Sequence, residues 1–427
     1  MVKVKGEVQV SIPFSARFVL NRLGTALGCT STFLTRHSGA LKRSNGVYEL
    51  ERWDVVIRFS RKVDFTTNEK KFIRIVIDSY DRLDKQWKTR GVAHQYMQTA
   101  ITSSVFDIGV SRFVSDSRRN FLNIHRLIQY FKLLSYEKYE GEQVKIGCLV
   151  TPSRDIEQKE YKIGNTKYEL VPASSSVSIN QELIGDSAFW RYVNGVDSFY
   201  MCDTSLNVYG FLNVLSSEYD NFRNITSSCI EDYVDDDGEI LFYIGVTGSA
   251  DLELFVDDSF RLLFRKGRWY FIDCDLINSV VSPGYSTIEP WKVLYSMSKI
   301  KKGTVILIVD DNNADLKDLV VRHTSSETGM RSAMRGCVVG NDLKRLCETG
   351  EMMRILSTDG MTILDNRFSK IMDFNAIVNT GLSNSESGGG GRTSAAIAGS
   401  VYGTTIKVSE DGPITIYKDQ DQIYKVG

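Results

Sequence analysis

Residues 303–309 read GTVILIV, an almost uninterrupted run of β-branched and other apolar side chains. A run this short and this apolar is typical of a strand that is buried on both faces, as the inner strands of an α/β sheet are. The polar residues DDNN follow at positions 310–313 and mark the end of the strand. Residues 301–427 are therefore predicted to form an α/β domain in which helices flank a mixed central sheet.

The rest of this C-terminal third supplies further strand patterns and one helix pattern. Residues 361–365 (MTILD) read as a strand, and residues 404–419 (TTIKVSEDGPITIYKD) read as a hairpin that turns at EDGP. Four consecutive glycines at 388–391 lead into the small-residue segment 392–399, which can be helical. Unblocked backbone N–H groups, the positive end of a helix dipole and the Arg392 cation together suit a phosphate group.

The first two thirds of the chain are predicted to form two further domains, which makes the whole an α/β and α+β multidomain protein. Period-two and continuous apolar patterns predict strands, and apolar residues at three- and four-residue steps predict helices. For the first domain (residues 1–150) we expect strands at 8–12, 54–59 and 72–77 and helices at 91–102 and 118–134. For the mainly β second domain (residues 151–285) we expect a hairpin at 162–171, followed by a linker helix at 286–300.

The composition of the chain limits its partners. Lys and Arg number 52 against 53 Asp and Glu, so no net field favours a polyanion, and nucleic-acid binding is not indicated. Seven cysteines are scattered without CxxC pairs, which is typical of reduced thiols in the cytosol. Because no stretch of about 18 apolar residues occurs and the first residues lack the apolar core of a signal peptide, we expect a cytoplasmic protein with no membrane partner.

Three short motifs in the C-terminal third carry the candidate chemistry. Asp359 and Gly360 stand at the start of a predicted strand, where a carboxylate beside a glycine can approach a metal ion or a hydroxyl group without steric competition. The sequence RTS at 392–394 opens the predicted helix, and SEDG at 409–412 places an acidic pair at a strand end. Each motif alone has an ordinary structural explanation as a turn, a linker or a tightly packed helix.

The order of these motifs resembles that of the diadenylate cyclase domain family. That family has a strand like GALIVI, a DGA motif that opens another strand, an RHR motif that opens a helix, and a terminal strand that leads into SEETG. The corresponding segments here are GTVILIV at 303–309, DGM at 359–361, RTSAA at 392–396 and SEDG at 409–412. The resemblance is confined to residues 301–427.

The resemblance implies a nucleotidyltransferase that condenses two ATP molecules into the second messenger cyclic di-AMP and releases pyrophosphate. It implies Mg²⁺ or Mn²⁺ as the cofactor and a homo-oligomer in which two catalytic domains face each other. Asp359 with Gly360 would be catalytic, and Asp359 and Glu410 would hold the metal ion. The residues that the resemblance places on the nucleotide and its phosphates are Met361, Gly390, Gly391, Arg392, Thr393 and Ser394.

The chain departs from the family pattern inside the second motif. Thr393 and Ser394 stand where the family has a histidine and a second arginine, and Gly391 stands where it has a threonine. Two charged or protonatable donors are therefore missing, which lowers the expected affinity for phosphate. A receptor that binds a nucleotide or cyclic dinucleotide without catalysis is the alternative, and an assembly scaffold is a third hypothesis. In the cyclase hypothesis, residues 1–285 sense a signal or control assembly.

Overall fold

The chain folds into two compact units in a computed structural model. The first unit comprises Met1–Ser216 and Glu231–Asp273, and the second comprises Ser217–Ile230 and Cys274–Gly427. The residues that the structure describes are 16–35, 45–89, 95–115, 121–152, 159–163, 166–217, 230, 234, 240–282, 286, 288–312, 314–321, 329–383 and 390–427.

The first unit combines helices with a large mixed sheet. Its helices are α1 (Ala16–Leu27), α2 (Thr67–Thr89), α3 (Gln95–Val114), α4 (Phe121–Leu134), α5 (Gln181–Gly185) and α6 (Ser187–Tyr192). Its strands are β1 (Thr30–Thr35), β2 (Val47–Arg52), β3 (Val55–Ser60), β4 (Lys138–Tyr139), β5 (Glu142–Gln143), β6 (Ile146–Thr151), β7 (Lys159–Ile163), β8 (Thr166–Ser178), β9 (Ser198–Asp203), β10 (Asn207–Ser217), β11 (Phe242–Val246), β12 (Leu252–Phe255), β13 (Phe260–Arg265) and β14 (Arg268–Asp273). They form sheets in the orders β1-β3-β2, β4-β5 and β14-β13-β12-β11-β6-β9-β10-β8-β7.

Most of the predicted elements of the first unit are confirmed, and one is wrong. Strand β3 covers residues 55–59 of the strand predicted at 54–59, and α4 covers most of the helix predicted at 118–134. The strand predicted at 72–77 is instead part of α2, in which the buried residues recur at helical spacing while Lys71 and Arg74 are exposed. Helix α3 covers the described part of the helix predicted at 91–102, and the strand predicted at 8–12 lies outside the described residues.

The structure divides the N-terminal two thirds differently from the sequence prediction. A boundary at residue 150 would fall inside β6, which pairs antiparallel with β11 on one side and parallel with β9 on the other. Because β6 is hydrogen-bonded on both sides within one sheet, the predicted first and second domains share that sheet. The hairpin predicted at 162–171 is present as β7 and β8, which pair in register from Ile163 and Thr166.

The second unit is a six-stranded sheet with helices packed against it. Its helices are α7 (Cys274–Val281), α8 (Pro290–Ile300), α9 (Gly329–Val338), α10 (Leu343–Glu348), α11 (Glu351–Leu356) and α12 (Gly391–Gly399), with a 3₁₀ turn at Thr380–Leu382. Its strands are β15 (Thr304–Val309), β16 (Met361–Leu364), β17 (Ile371–Ala376), β18 (Gly403–Val408), β19 (Ile414–Lys418) and β20 (Asp421–Val426). The sheet order is β17-β16-β15-β18-β19-β20.

The pattern GTVILIV explains the centre of this sheet. Every residue of β15 is buried, and the strand pairs parallel with β16 and antiparallel with β18. Helix α12 packs its small residues against the side chains of β15, while α8 contacts β18 and β19 and α11 contacts β15. The predicted α/β fold class with a mixed, helix-flanked central sheet is therefore confirmed. Helix α8 also covers most of the predicted linker helix and belongs to the second unit.

None of the helices in the described part of the chain is both long and apolar enough to cross a membrane.

Candidate functional site

Three chain segments meet at one edge of the six-stranded sheet. Val305 at the start of β15 is level with Met361 at the start of β16, and Thr304 is level with Val408 at the end of β18. The residues that precede β15 and β16 and those that follow β18 therefore lie at the same edge. This register brings together the DGM and SEDG motifs, which are far apart in the sequence.

Arg392, in the first turn of α12, reaches a carboxylate from each of those two motifs. Its Nη1 donates a hydrogen bond to Oε1 of Glu410 at 2.6 Å, and its Nη2 lies 3.5 Å from Oδ1 of Asp359. The side chains of Asp359 and Glu410 are otherwise open to solvent, with exposed fractions of 96% and 67%. The structure thus places one guanidinium between two solvent-accessible carboxylates.

Gly303 makes room for the contact between Arg392 and Glu410. A Cβ atom at this position would lie 2.3 Å from Nη1 of Arg392 and 3.1 Å from Cγ of Glu410. Both separations are shorter than van der Waals contact allows, so any side chain at residue 303 would move the guanidinium. The sequence prediction missed this role, although a glycine at the head of a β-branched run was a visible signal.

Gly360 sets the position of Asp359 through its backbone. Its φ of +92° lies in the left-handed region that favours glycine. A Cβ atom there would lie 2.9 Å from both the carbonyl carbon and Oδ1 of Asn375, a residue of β17, the strand that pairs with β16. The turn that ends at Gly360 therefore places Asp359 at the edge of the sheet, immediately before β16.

The first turn of α12 contains backbone amides that have no carbonyl partner within the helix. Gly390 caps the helix in an extended conformation, and its carbonyl accepts the amides of Thr393 at 2.8 Å and Ser394 at 3.3 Å. The amides of Gly391 and Arg392 belong to the first turn, where a helix offers no carbonyl partner of its own. A Cβ at Gly390 or Gly391 would meet no atom of the described residues within 4 Å.

Lys407 joins the site without having been predicted. Its Nζ donates a hydrogen bond of 2.8 Å to Oγ1 of Thr393 from the neighbouring strand β18. Burial lowers the pKa of Lys407, and the nearby cations Lys425 and Arg392 lower it further, while Asp411 opposes them. A lysine in a strand gives no motif signal, so only the tertiary structure reveals it.

Met361 differs from the other candidate residues in where its side chain lies. It is buried in the core of the second unit, and its Cε would be 2.8 Å from a Cβ placed on Gly399. The side chain therefore packs beneath α12, whereas Asp359, Arg392, Thr393 and Glu410 surround the edge of the sheet.

The contact between Arg392 and Glu410 shifts the pKa values of both residues. The hydrogen bond and charge of the Arg392 guanidinium lower the pKa of Glu410 below its ordinary value of 4.5. The hydrogen bond that Arg392 donates to Glu410 raises the pKa of Arg392 in turn, and Asp359 contributes in the same direction. The group therefore consists of the Arg392 guanidinium hydrogen-bonded to Glu410, with Oδ1 of Asp359 at 3.5 Å from its other terminal nitrogen.

The carboxylates of this group could hold a metal ion only with help from a ligand. Within the described ranges, no cluster of three or more His, Cys, Asp or Glu side chains is arranged for a metal ion. Asp359 and Glu410 supply two carboxylates. Mg²⁺ is usually bound by one or two carboxylates together with substrate phosphates and water, so two are sufficient when a phosphate ligand is present. The donor set therefore suits a metal ion that arrives with a polyphosphate.

No protein-family model matches the chain, and no curated protein matches it.

Proposed function

We propose that the second unit binds ATP at the Arg392 edge of its sheet and condenses two ATP molecules into cyclic di-AMP. The observation that carries the proposal is the contact of Arg392 with both Glu410 and Asp359. Three motifs that resemble a diadenylate cyclase in sequence order also lie together in space. We place the reaction in the cytoplasm, where ATP is made available, and assign a regulatory role to residues 1–285.

The proposed chemistry is two successive phosphoryl transfers. The 3′ oxygen of one ATP attacks the α-phosphorus of the other, a new O–P bond forms, and the bond to the bridging oxygen breaks. Pyrophosphate leaves with that electron pair, and the hydroxyl proton passes to the Asp359 carboxylate and on to water. The second 3′ oxygen repeats the step and closes the ring. The bound Mg²⁺ or Mn²⁺, held by Asp359 and Glu410, would neutralise charge on the phosphates.

The reaction requires two copies of the chain. One Arg392 edge offers one set of the three motifs, whereas the product contains two nucleotides. The Asp359 side chain is 96% exposed, so a nucleotide held by a facing copy could reach it. We therefore propose a homo-oligomer in which two second units present these edges to each other.

The direct test is to incubate the full chain with ATP and Mg²⁺ or Mn²⁺ and to analyse products by mass spectrometry. Cyclic di-AMP should form with the wild-type chain and be absent with Asp359→Asn. The matched control is Asp310→Asn, because Asp310 is also exposed and pairs with Lys418 beyond the opposite end of β15. Absence of any cyclic dinucleotide with every nucleoside triphosphate and either metal would contradict the proposal.

A receptor is the second candidate, and one observation favours it. Arg392 is the only cation in the RTS motif, and both of its terminal nitrogens already face carboxylates. Less positive charge is then available to stabilise a phosphoryl-transfer transition state. Calorimetry with cyclic di-AMP separates the candidates, because a receptor would bind the dinucleotide and leave ATP unconsumed in the mass-spectrometric assay.

A further inference from the structure

Two cations flank the first turn of α12, and their surroundings differ. The charge of Arg392 is offset by Glu410 and Asp359. Lys407, in contrast, forms no ion pair with any residue that the structure describes, and its Nζ donates a hydrogen bond to the hydroxyl oxygen of Thr393. The positive charge that remains for an incoming anion therefore lies at Lys407.

The strands beside Lys407 add to this positive charge. Thr415 in β19 pairs with Lys407 on one side and with Lys425 in β20 on the other. Paired residues project to the same face of a sheet, so both lysines lie on one face. Burial is the main cause that lowers the pKa of Lys407, and the nearby Lys425 lowers it further, while Asp411 acts in the opposite direction.

We propose that Lys407 is the phosphate-binding cation of this site and that it replaces the charge missing from the motif at Thr393 and Ser394. The Thr393 hydroxyl, which accepts from Lys407 Nζ, positions the ammonium beside the first turn of the helix. The amides of that turn, which have no carbonyl partner within the helix, and the Lys407 ammonium then bind the triphosphate of a nucleotide together. This inference rests on the proposed nucleotide-binding function and names the residue that supplies its affinity.

The experiment compares two variants that each remove one positive charge from the same site, Lys407→Met and Arg392→Met. Binding of inorganic tripolyphosphate and of ATP to the full chain is measured by calorimetry without divalent metal. Lys407→Met should weaken both by about tenfold or more, as expected when a charge-assisted hydrogen bond is lost. Arg392→Met should weaken the binding of tripolyphosphate less, because the charge of Arg392 is already offset by Glu410 and Asp359.

Two further variants test whether the loss of binding comes from the Lys407 contact itself. The other possible causes are a folding defect and the loss of any one positive charge from the sheet. Lys407→Arg keeps the cation and should retain most of the affinity. Lys418→Met removes a lysine of the same sheet that pairs with Asp310, and it should bind as the wild type does. If the wild type binds and Lys407→Met weakens binding no more than Arg392→Met or Lys418→Met does, the assignment to Lys407 is overturned while the proposed function survives. If the wild type binds neither tripolyphosphate nor ATP, the assignment to Lys407 and the proposed function are both overturned.

Discussion

Gly303 leaves the space that the guanidinium group of Arg392 occupies at the edge of the sheet. A Cβ atom on Gly303 would lie 2.3 Å from Nη1 of Arg392, the nitrogen that donates to Glu410 at 2.6 Å. The contact between the helix and the end of β18 therefore depends on a glycine before β15. Because the obstructed atom is the end of a flexible side chain, a methyl group here would displace the guanidinium and leave the strand in place.

Gly303→Ala is expected to separate Arg392 from Glu410 and to lower cyclic di-AMP formation by about tenfold, a loss equivalent to one charge-assisted contact. Mass spectrometry of the product and thermal unfolding measure the two effects. Gly336→Ala serves as the control, since a Cβ at this position of α9 would meet no described atom within 4 Å. Equal activity in both variants would show that the position of Arg392 does not matter.

Removal of Arg392 is expected to return the pKa of Glu410 to its ordinary range. The Arg392 guanidinium lowers this pKa in the wild type, so the ion pair stabilises the fold above pH 4.5 and is lost as the pH falls through the lowered value. Carbon NMR titration of the Glu410 carboxyl in Arg392→Gln should show the increase. Lys418→Gln should leave the titration unchanged, and an unchanged pKa in Arg392→Gln would refute the ion pair.

Gly360→Ala is expected to destabilise the second unit more than Gly340→Ala does. The two glycines have similar φ values, +92° and +84°, so both substitutions carry the cost of the left-handed region, about 1 kcal/mol. Only at residue 360 would the new Cβ also press against backbone, with the Asn375 carbonyl carbon at 2.9 Å. Urea unfolding should show an additional loss of about 1–3 kcal/mol for Gly360→Ala. Equal losses would mean that the loop relaxes freely.

Asp107→Ala is expected to destabilise the first unit strongly. The buried Asp107 carboxylate accepts hydrogen bonds from Trp269 Nε1 at 2.7 Å and from Gln129 Nε2 at 2.8 Å, and it pairs with Lys132. Its removal leaves the mostly buried Lys132 ammonium without that partner, a change that typically costs about 3–5 kcal/mol.

Chemical denaturation measures this loss in the first unit. Asp78→Ala is the control, because the half-exposed pair of Asp78 and Arg52 contributes roughly 0–1 kcal/mol. Similar losses for Asp107→Ala and Asp78→Ala would indicate that water reaches Lys132.

The first unit shows where local patterns mislead. Residues 72–77 are β-branched and apolar enough to read as a strand, yet they lie within α2, where Phe72, Ile73, Val76 and Ile77 are buried and Arg74 is exposed. A short apolar run is compatible with either structure, and only the length of the surrounding amphipathic segment distinguishes them. The boundary predicted at residue 150 fails for a related reason, since the long-range partners β9 and β11 that enclose β6 leave no local sign.

The sequence by itself determined the buried strand β15, the start of α12 after the glycine tract and the turn between β18 and β19, because burial periodicity, glycine and turn chemistry act over a few residues. Only the tertiary structure decided that Arg392 meets Glu410 and Asp359, which are 18 and 33 residues away in the chain. It also decided that Lys407 lies beside Thr393. Strand order and register arise from packing between distant segments, and that packing sets which charges share the edge of the sheet.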